Sequence, residues 1–184
     1  MPLIAYADPD AMPEKTRKEF EALSRKINIF RMMANAPTLL APALRFGEAI
    51  RNNLKLDGTS RELVIMAVAR LEGGVYEWVQ HIPIAERAGC TSGQIAALEA
   101  LRFDDAVFDA RRKAMLVLVR EVMRKVKASE AAVDAAKAHF SDQEIVEIIF
   151  TAGFYMMVAR LTETTRVEID GPQGVAVPDW GRVK

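Results

Sequence analysis

The stretch SRELVIMAVARLEGGVYEWVQHIPIAERAGCTSGQIAAL, residues 60–98, decides the fold. Its apolar residues recur every three or four positions and never alternate, so it reads as helix throughout. Gly73-Gly74 and Gly89 punctuate it into helices over 60–72, 75–88 and 92–101. Placing Val75 at zero and turning about 100° per residue gathers Val75, Val79 and Ile82 on one face, with Trp78 and Ala85 beside them. Tyr76, Gln80 and Arg87 fall in the sector expected to be wettest. Glu77 and His81 share a strip with Ile84, Ala85 and Ala88, an apolar setting for a carboxylate and an imidazole.

Outward from this stretch the same period persists. A helix over 14–27 carries Phe20, Leu23 and Ile27 on one stripe, and another over 38–52 opens after Pro37. Further helices are expected over 105–127, 130–139 and 141–163. Three starts show a hydroxyl followed three residues on by Glu or Gln: Thr59 with Glu62, Thr91 with Gln94, and Ser141 with Glu144. Each spacing lets the two side chains satisfy orphan backbone N–H groups reciprocally as a capping box. The fold class expected is all α, a single domain over 1–184 with a core at about 29–165. Residues 1–13 and 168–184, rich in proline and turn residues, read as extended arms lying on the helical body or on a neighbouring subunit.

The 184 residues, 51% hydrophobic and 27% charged, are enough for one ordinary globular core. Twenty-five Lys and Arg balance twenty-five Asp and Glu, which leaves no overall field to attract nucleic acid or an anionic membrane, and neither is expected as a partner. The N-terminus lacks the pattern of a secretion signal, and the apolar run Ile148 to Ala159 is too short to span a bilayer. Cys90, the single cysteine, can form no internal disulfide. It reads as a small structural residue, and the cytoplasm is the expected location.

Glu77 and His81 admit two readings. On a helix surface they would be an ordinary ion pair worth about 0.3 to 0.5 kcal/mol. Among apolar neighbours they would be partly desolvated, and burial raises a carboxyl pKa toward the range useful for general acid–base work. Glu62, flanked by Ile65, Met66 and Ala69, is the third candidate, with a capping-box role as the alternative. His81 could equally be a core histidine bonded to a backbone carbonyl. Pro83 should kink or break its helix directly after His81. Gly73-Gly74 is either a turn or a place where an anionic ligand approaches a helix N-terminus. Arg160 could bind a carboxylate or pair with Glu163 or Glu147.

Residues 60–98, together with FSDQEIVEIIFTAGFYMMVARLTETT and FRMMANAPTLLAPALRFGEAI, resemble the carboxymuconolactone decarboxylase and AhpD-like family over roughly 29–165. The resemblance implies an AhpD-like multi-helix domain and a homo-oligomer, trimer or hexamer. The redox branch of that family carries a Glu followed by Cys-x-x-Cys-x-x-x-His. Counted from Glu62, that frame puts the cysteines at Gly74 and Glu77 and the histidine at His81, so both thiols are missing. Thiol peroxidase chemistry, which needs a thiolate, is therefore not expected.

The decarboxylase branch implies a cofactor-free lyase acting on a small carboxylic acid or lactone. In this reading His81 donates the proton, Glu77 holds the imidazole, Glu62 completes the relay, and Tyr76, Trp78 and Gly74 contact substrate. Three alternatives remain open: an antioxidant-type protein with altered, non-thiol chemistry; a divalent-metal site on the two glutamates and His81; and a non-catalytic oligomeric binding protein. His139, at a separate polar helix end, adds no second ligand to the metal reading.

Overall fold

The computed structural model describes residues 1–170, 175–178 and 180. The Asp57 carboxylate accepts from the Ser60 backbone N–H at 2.9 Å and starts helix α4 (Gly58–Glu72), which stops where Gly73 turns left-handed with φ 74°. Before it come a 3₁₀ turn (Pro9–Ala11) and helices α1 (Glu14–Glu21), α2 (Asn28–Met33) and α3 (Pro37–Asn52). After it come α5 (Val75–Arg87), α6 (Ser92–Glu99), α7 (Ala110–Lys125), α8 (Glu130–Lys137) and α9 (Asp142–Thr165). The fold is all α, with no strand among the described residues.

Helix α4 is the axis. Glu62 through Ala69 are buried without interruption, the pattern of a helix surrounded on all sides. Helices α9, α5, α7 and α6 pack around it, with Leu63, Ile65, Met66, Leu98, Met115, Leu116 and Leu118 fully enclosed. A second, smaller cluster of Met12, Phe20, Ala34 and Leu40 joins α1 and the N-terminal turn to α3. The N-terminal arm lies on the body: the Leu3 N–H donates to the Thr165 carbonyl at 2.8 Å, and the Tyr6 hydroxyl accepts from the Glu168 N–H at 2.9 Å. Of the expected C-terminal arm, residues 171–174, 179 and 181–184 lie outside the described residues.

Several expectations need correction. The capping boxes at Thr91–Gln94 and Ser141–Glu144 are formed, but Thr59 and Glu62 do not make one. Asp57 takes the cap, Thr59 Oγ1 donates to the Ala88 carbonyl, and Glu62 turns inward. The helix expected over 14–27 ends at Glu21. A separate one begins at Asn28, whose N–H is taken by both oxygens of Asp170, at 2.9 and 3.0 Å. Helix α7 starts at Ala110, not at 105, because the Asp109 carboxylate caps it by accepting from the Arg112 N–H. Pro83 does not break α5, which continues to Arg87. Arg160 pairs with Glu72 at 2.9 Å, not with Glu163 or Glu147.

The apolar run in α9 belongs to a helix of 24 residues, long and apolar enough by length and composition to cross a membrane. Ile148 to Ala159, itself interrupted by Thr151 and Gly153, is only the middle of that helix. Half of that helix's most apolar stretch is buried against the rest of the bundle, the position of a core helix.

Candidate active site

Glu62 projects from the second turn of α4 into the core and is fully buried. Its Oε2 lies 2.8 Å from His81 Nδ1, and its Oε1 accepts from Arg61 Nε at 3.0 Å. Burial alone would push this carboxyl up. Hydrogen bonding and charge from His81, with help from Arg61, outweigh the burial and hold it below the usual carboxylate value. Glu62 is thus a carboxylate, and it fixes the histidine with Nδ1–H as donor, leaving Nε2 for other work. The Tyr155 ring closes edge-on against the imidazole, with centroids 5.0 Å apart and planes at 89°. Burial and the Glu62 charge raise the Tyr155 phenol, so it stays protonated.

Glu77, one turn before His81 on α5, is also buried, yet its partner is different. Thr162 Oγ1 of α9 lies 2.9 and 3.2 Å from its two oxygens. Burial lifts its carboxyl to about 7, opposed by its own backbone N–H and by Thr162, and reinforced by the charge of Glu163. Glu163 in turn accepts from the Val75 N–H at 2.9 Å and so covers the N-terminus of α5, where Gly74 supplies no side chain.

His81 and Glu77 open onto one cavity of about 520 Å³. Helix α5 forms one wall with Tyr76, Glu77, Gln80, His81 and Ile84. Helices α3 and α9 supply Gly47, Arg51, Phe154 and Tyr155, and the segment from Ala22 to Met33 lays Leu23, Ile27 and Phe30 across it. Of the wheel sector expected to be wettest, Tyr76 and Gln80 line the cavity, while Arg87 is exposed as expected. Tyr76 is only 4% exposed, because the N-terminal segment covers it and Asp170 accepts from its hydroxyl at 2.6 Å.

The site residues expected from the sequence thus fall in three places. Glu77, His81 and Tyr76 line the cavity. Glu62 stands behind His81, and Gly74 behind Glu77, where an added Cβ would come within 2.6 Å of Glu77 Oε2. Trp78 is packed edge-on against Trp180, centroids 5.5 Å apart, and does not line the cavity. The expected pairing is also revised: Glu62, not Glu77, holds the imidazole, because the Glu77 carboxyl is turned to α9. Arg51, Tyr155 and Thr162 were not anticipated. Their only sequence signal is their polarity within the apolar faces of α3 and α9.

Cys90 lies outside the cavity wall, and burial pushes its thiol up to about 12, far from the thiolate that peroxidase chemistry requires. No group of three or more His, Cys, Asp and Glu side chains is placed to hold a metal ion among the described residues.

Residues 37–120 match the sequence profile of the Carboxymuconolactone decarboxylase family, a span that contains Glu62, Glu77 and His81. That matched span, a little under half of the chain, is what ties it to this family in sequence, and with Cys90 as its single cysteine the chain has no cysteine pair. No curated protein sequence matches it. Among solved structures it is similar to an uncharacterized peroxidase-related protein with an alkylhydroperoxidase AhpD core from Ralstonia eutropha JMP134, at 18% identity over 92% of each chain with a TM-score of 0.78. It is also similar to an uncharacterized peroxidase-related protein from Silicibacter sp. TM1040, at 23% identity over 91% of each chain with a TM-score of 0.73. A third likeness is to a variant of the debrominase Bmp8 in complex with 2,3,4-tribromopyrrole, at 13% identity over 98% of this chain and 94% of that one, TM-score 0.70. At these identities the likeness is one of fold.

Proposed function

We propose that this protein is a thiol-independent acid–base enzyme acting without a cofactor on a small carboxylic acid or lactone, by decarboxylation or a related proton transfer. The observation that carries this reading is the pair of titrating groups on one cavity wall in different environments. His81 is fixed by the Glu62 carboxylate at 2.8 Å, and Glu77 is buried with a carboxyl near 7. Two groups whose surroundings set them apart in this way divide the acid and base roles between them. His81 is the base at Nε2, with Glu62 offsetting the charge it acquires, and Glu77 is the acid. The debrominase complex supports the reading at a coarse level, since a protein of this fold there holds a small ring compound.

In a decarboxylation, the bond between the carboxylate and its neighbouring carbon breaks. Its electron pair moves into the adjacent carbonyl to give an enolate, CO₂ leaves, and the enolate carbon takes the Glu77 proton. Arg51 and Arg25, both on the cavity wall, supply positive charge for the substrate carboxylate. In a proton transfer without loss of CO₂, His81 removes the proton next to the carbonyl and Glu77 returns one elsewhere.

The test is turnover of a panel of β-keto acids and carboxylated lactones in D₂O, following CO₂ release and deuterium on carbon. The native chain is expected to turn over at least one of them, and Glu77→Gln and His81→Ala to slow it by about 100-fold or more. No turnover of any panel member, or native rates in both variants, overturns the proposal.

We also propose a homo-oligomer. Val146, Ile149, Phe150 and Met157 leave one face of α9 apolar and exposed, and Phe46 of α3 continues the patch with its ring 5.9 Å from that of Phe150.

A further inference from the structure

Thr162 is buried in α9 between two acceptors. Its Oγ1 lies 2.9 and 3.2 Å from the oxygens of Glu77 and 3.1 Å from the carbonyl oxygen of Ala159. A hydroxyl has one proton and two lone pairs, so it cannot donate in both directions at once. The charge on Glu77 decides which bond is made. A Glu77 carboxylate draws the Thr162 proton. A protonated Glu77 donates its own O–H to Thr162 Oγ1, and the Thr162 proton then turns to the Ala159 carbonyl. Either way the pair is satisfied with every heavy atom in place.

The surroundings hold Glu77 against Thr162. An added Cβ on Gly74 would stand 2.6 Å from Glu77 Oε2 and 2.8 Å from the Ala159 Cβ, so the carboxyl occupies a slot closed by α5 on one side and α9 on the other. Its own backbone N–H bonds it from below, and the charge acting on it from α9 is that of another acid, Glu163. On α5 itself, Tyr76 turns its hydroxyl to Asp170 and His81 turns Nδ1 to Glu62. On its two packed sides, against Gly74 of α5 and Ala159 of α9, a change of ionisation is met by moving hydrogen, and the remaining side of the carboxyl faces the cavity.

We propose that Thr162 is a positioning residue whose hydroxyl proton alternates between the Ala159 carbonyl and the Glu77 carboxyl, so that Glu77 gives up and regains its proton without leaving its slot. The inference rests on Glu77 as the acid of the cavity. When Glu77 passes its proton to substrate, the Thr162 O–H turns from the Ala159 oxygen to the new carboxylate. When Glu77 is reprotonated, the O–H turns back. Thr162 ends each cycle with the proton it began with.

The experiment follows the ionisation of Glu77 itself, by infrared difference spectroscopy of the carboxyl band through a pH titration, with Glu77→Gln identifying the band. Thr162→Ser keeps the hydroxyl and is expected to keep the midpoint within a few tenths of a pH unit. Thr162→Val keeps the shape and loses the donor. It is expected to move the midpoint upward by about half a unit to one unit, because both forms of Glu77 lose a bond to Thr162 but the one lost by the carboxylate is charge-assisted and roughly twice as strong. Circular dichroism establishes that each variant is folded, and Thr162→Ala carries the same expectation if the valine variant is not. An unmoved midpoint in the valine or alanine variant, or a serine variant shifted as far as valine, overturns the proposal. The readout needs no turnover, so a native chain inactive on every substrate, but with the expected titration shifts, would refute the enzymatic reading and leave the role of Thr162 standing.

Discussion

His81 Nδ1 and Glu62 Oε2 meet at 2.8 Å across the contact between α5 and α4, and Glu62 is wholly enclosed. Removing the imidazole strands a buried carboxylate with Arg61 as its remaining partner. His81→Ala is therefore expected to lower stability by about 3 kcal/mol, the scale for breaking a buried pair on one side. Adding Glu62→Gln should recover part of that loss, since the stranded charge goes with it. Urea denaturation of the two single variants and the double variant measures both quantities. A His81→Ala cost below about 1 kcal/mol would mean that Glu62 is better solvated than its burial implies.

Glu77 makes stability depend on pH in the opposite sense to Glu62. Its carboxyl titrates at about 7 in the fold against an ordinary 4.5, so between those values the folded chain binds a proton that the unfolded chain has released. The stabilisation is complete below about pH 4.5 and disappears as pH rises through 7, a swing on the order of 3 kcal/mol. Glu62, held low, contributes above the ordinary carboxylate value and loses that contribution as pH falls. The difference in unfolding free energy between native and Glu77→Gln, measured from pH 4 to about 8, isolates the Glu77 part. Curves that run parallel across that range would show that the fold does not bind this proton.

The two glycines between α4 and α5 should respond differently to the same substitution. Gly73 has φ 74° and open space around it, so Gly73→Ala meets only backbone strain of about 1 kcal/mol and should leave the site alone. Gly74 has an ordinary negative φ, but its Cβ would collide with Glu77 Oε2 and Ala159. Gly74→Ala is expected to cost about 1 to 3 kcal/mol and to displace Glu77 as well. Thermal unfolding and the Glu77 infrared band separate the two cases. A Gly74→Ala variant with an unshifted band would show that the slot has slack.

The apolar face of α9 gives a fourth expectation. Phe150 is 58% exposed, so a charge there should cost the single chain little. Phe150→Glu is expected to lower the molar mass found by light scattering, with helical content unchanged. A native chain that is already monomeric at every concentration would remove the oligomer from consideration.

Much of this was legible in the chain because periodicity, glycine punctuation and capping hydroxyls are local signals, and they locate α4, α5, α6 and α9 to within a few residues. Glu62, Glu77 and His81 stood out because polar groups on apolar strips are rare. What the sequence could not supply is partner choice. Thr59 and Glu62 have capping spacing, yet Asp57 caps the helix two residues earlier through the Ser60 N–H and leaves Thr59 inside the first turn. Glu77 and His81 have pairing spacing, yet Thr162 and Glu62, distant in sequence, are nearer in space. The start of α2 and the partner of the Tyr76 hydroxyl likewise depend on Asp170 of the C-terminal arm, which no local pattern reveals.

Arg51 supplies the last expectation, about what the cavity accepts. Its guanidinium folds back along α3 to the side of Phe154: an added Cβ on Gly47 would lie 3.0 Å from Arg51 Nη1 and 3.1 Å from the Phe154 ring. Its charge also bears on the Tyr155 hydroxyl, the ring that closes against His81. With Glu77 protonated, the charged side chains on the wall are Arg25 and Arg51 against Glu48, which favours an anion with an apolar body. Benzoate should therefore bind the native chain more tightly than benzamide, its neutral counterpart of similar shape. Arg51→Gln should remove most of that preference, a loss of roughly 10- to 100-fold for a hydrogen bond to a charged group. Arg51→Lys should restore only part of it, because an ammonium cannot offer the planar fork. Titration calorimetry with the two probes measures all three, and equal affinity of the native chain for benzoate and benzamide would exclude Arg51 as an anion-recognising group.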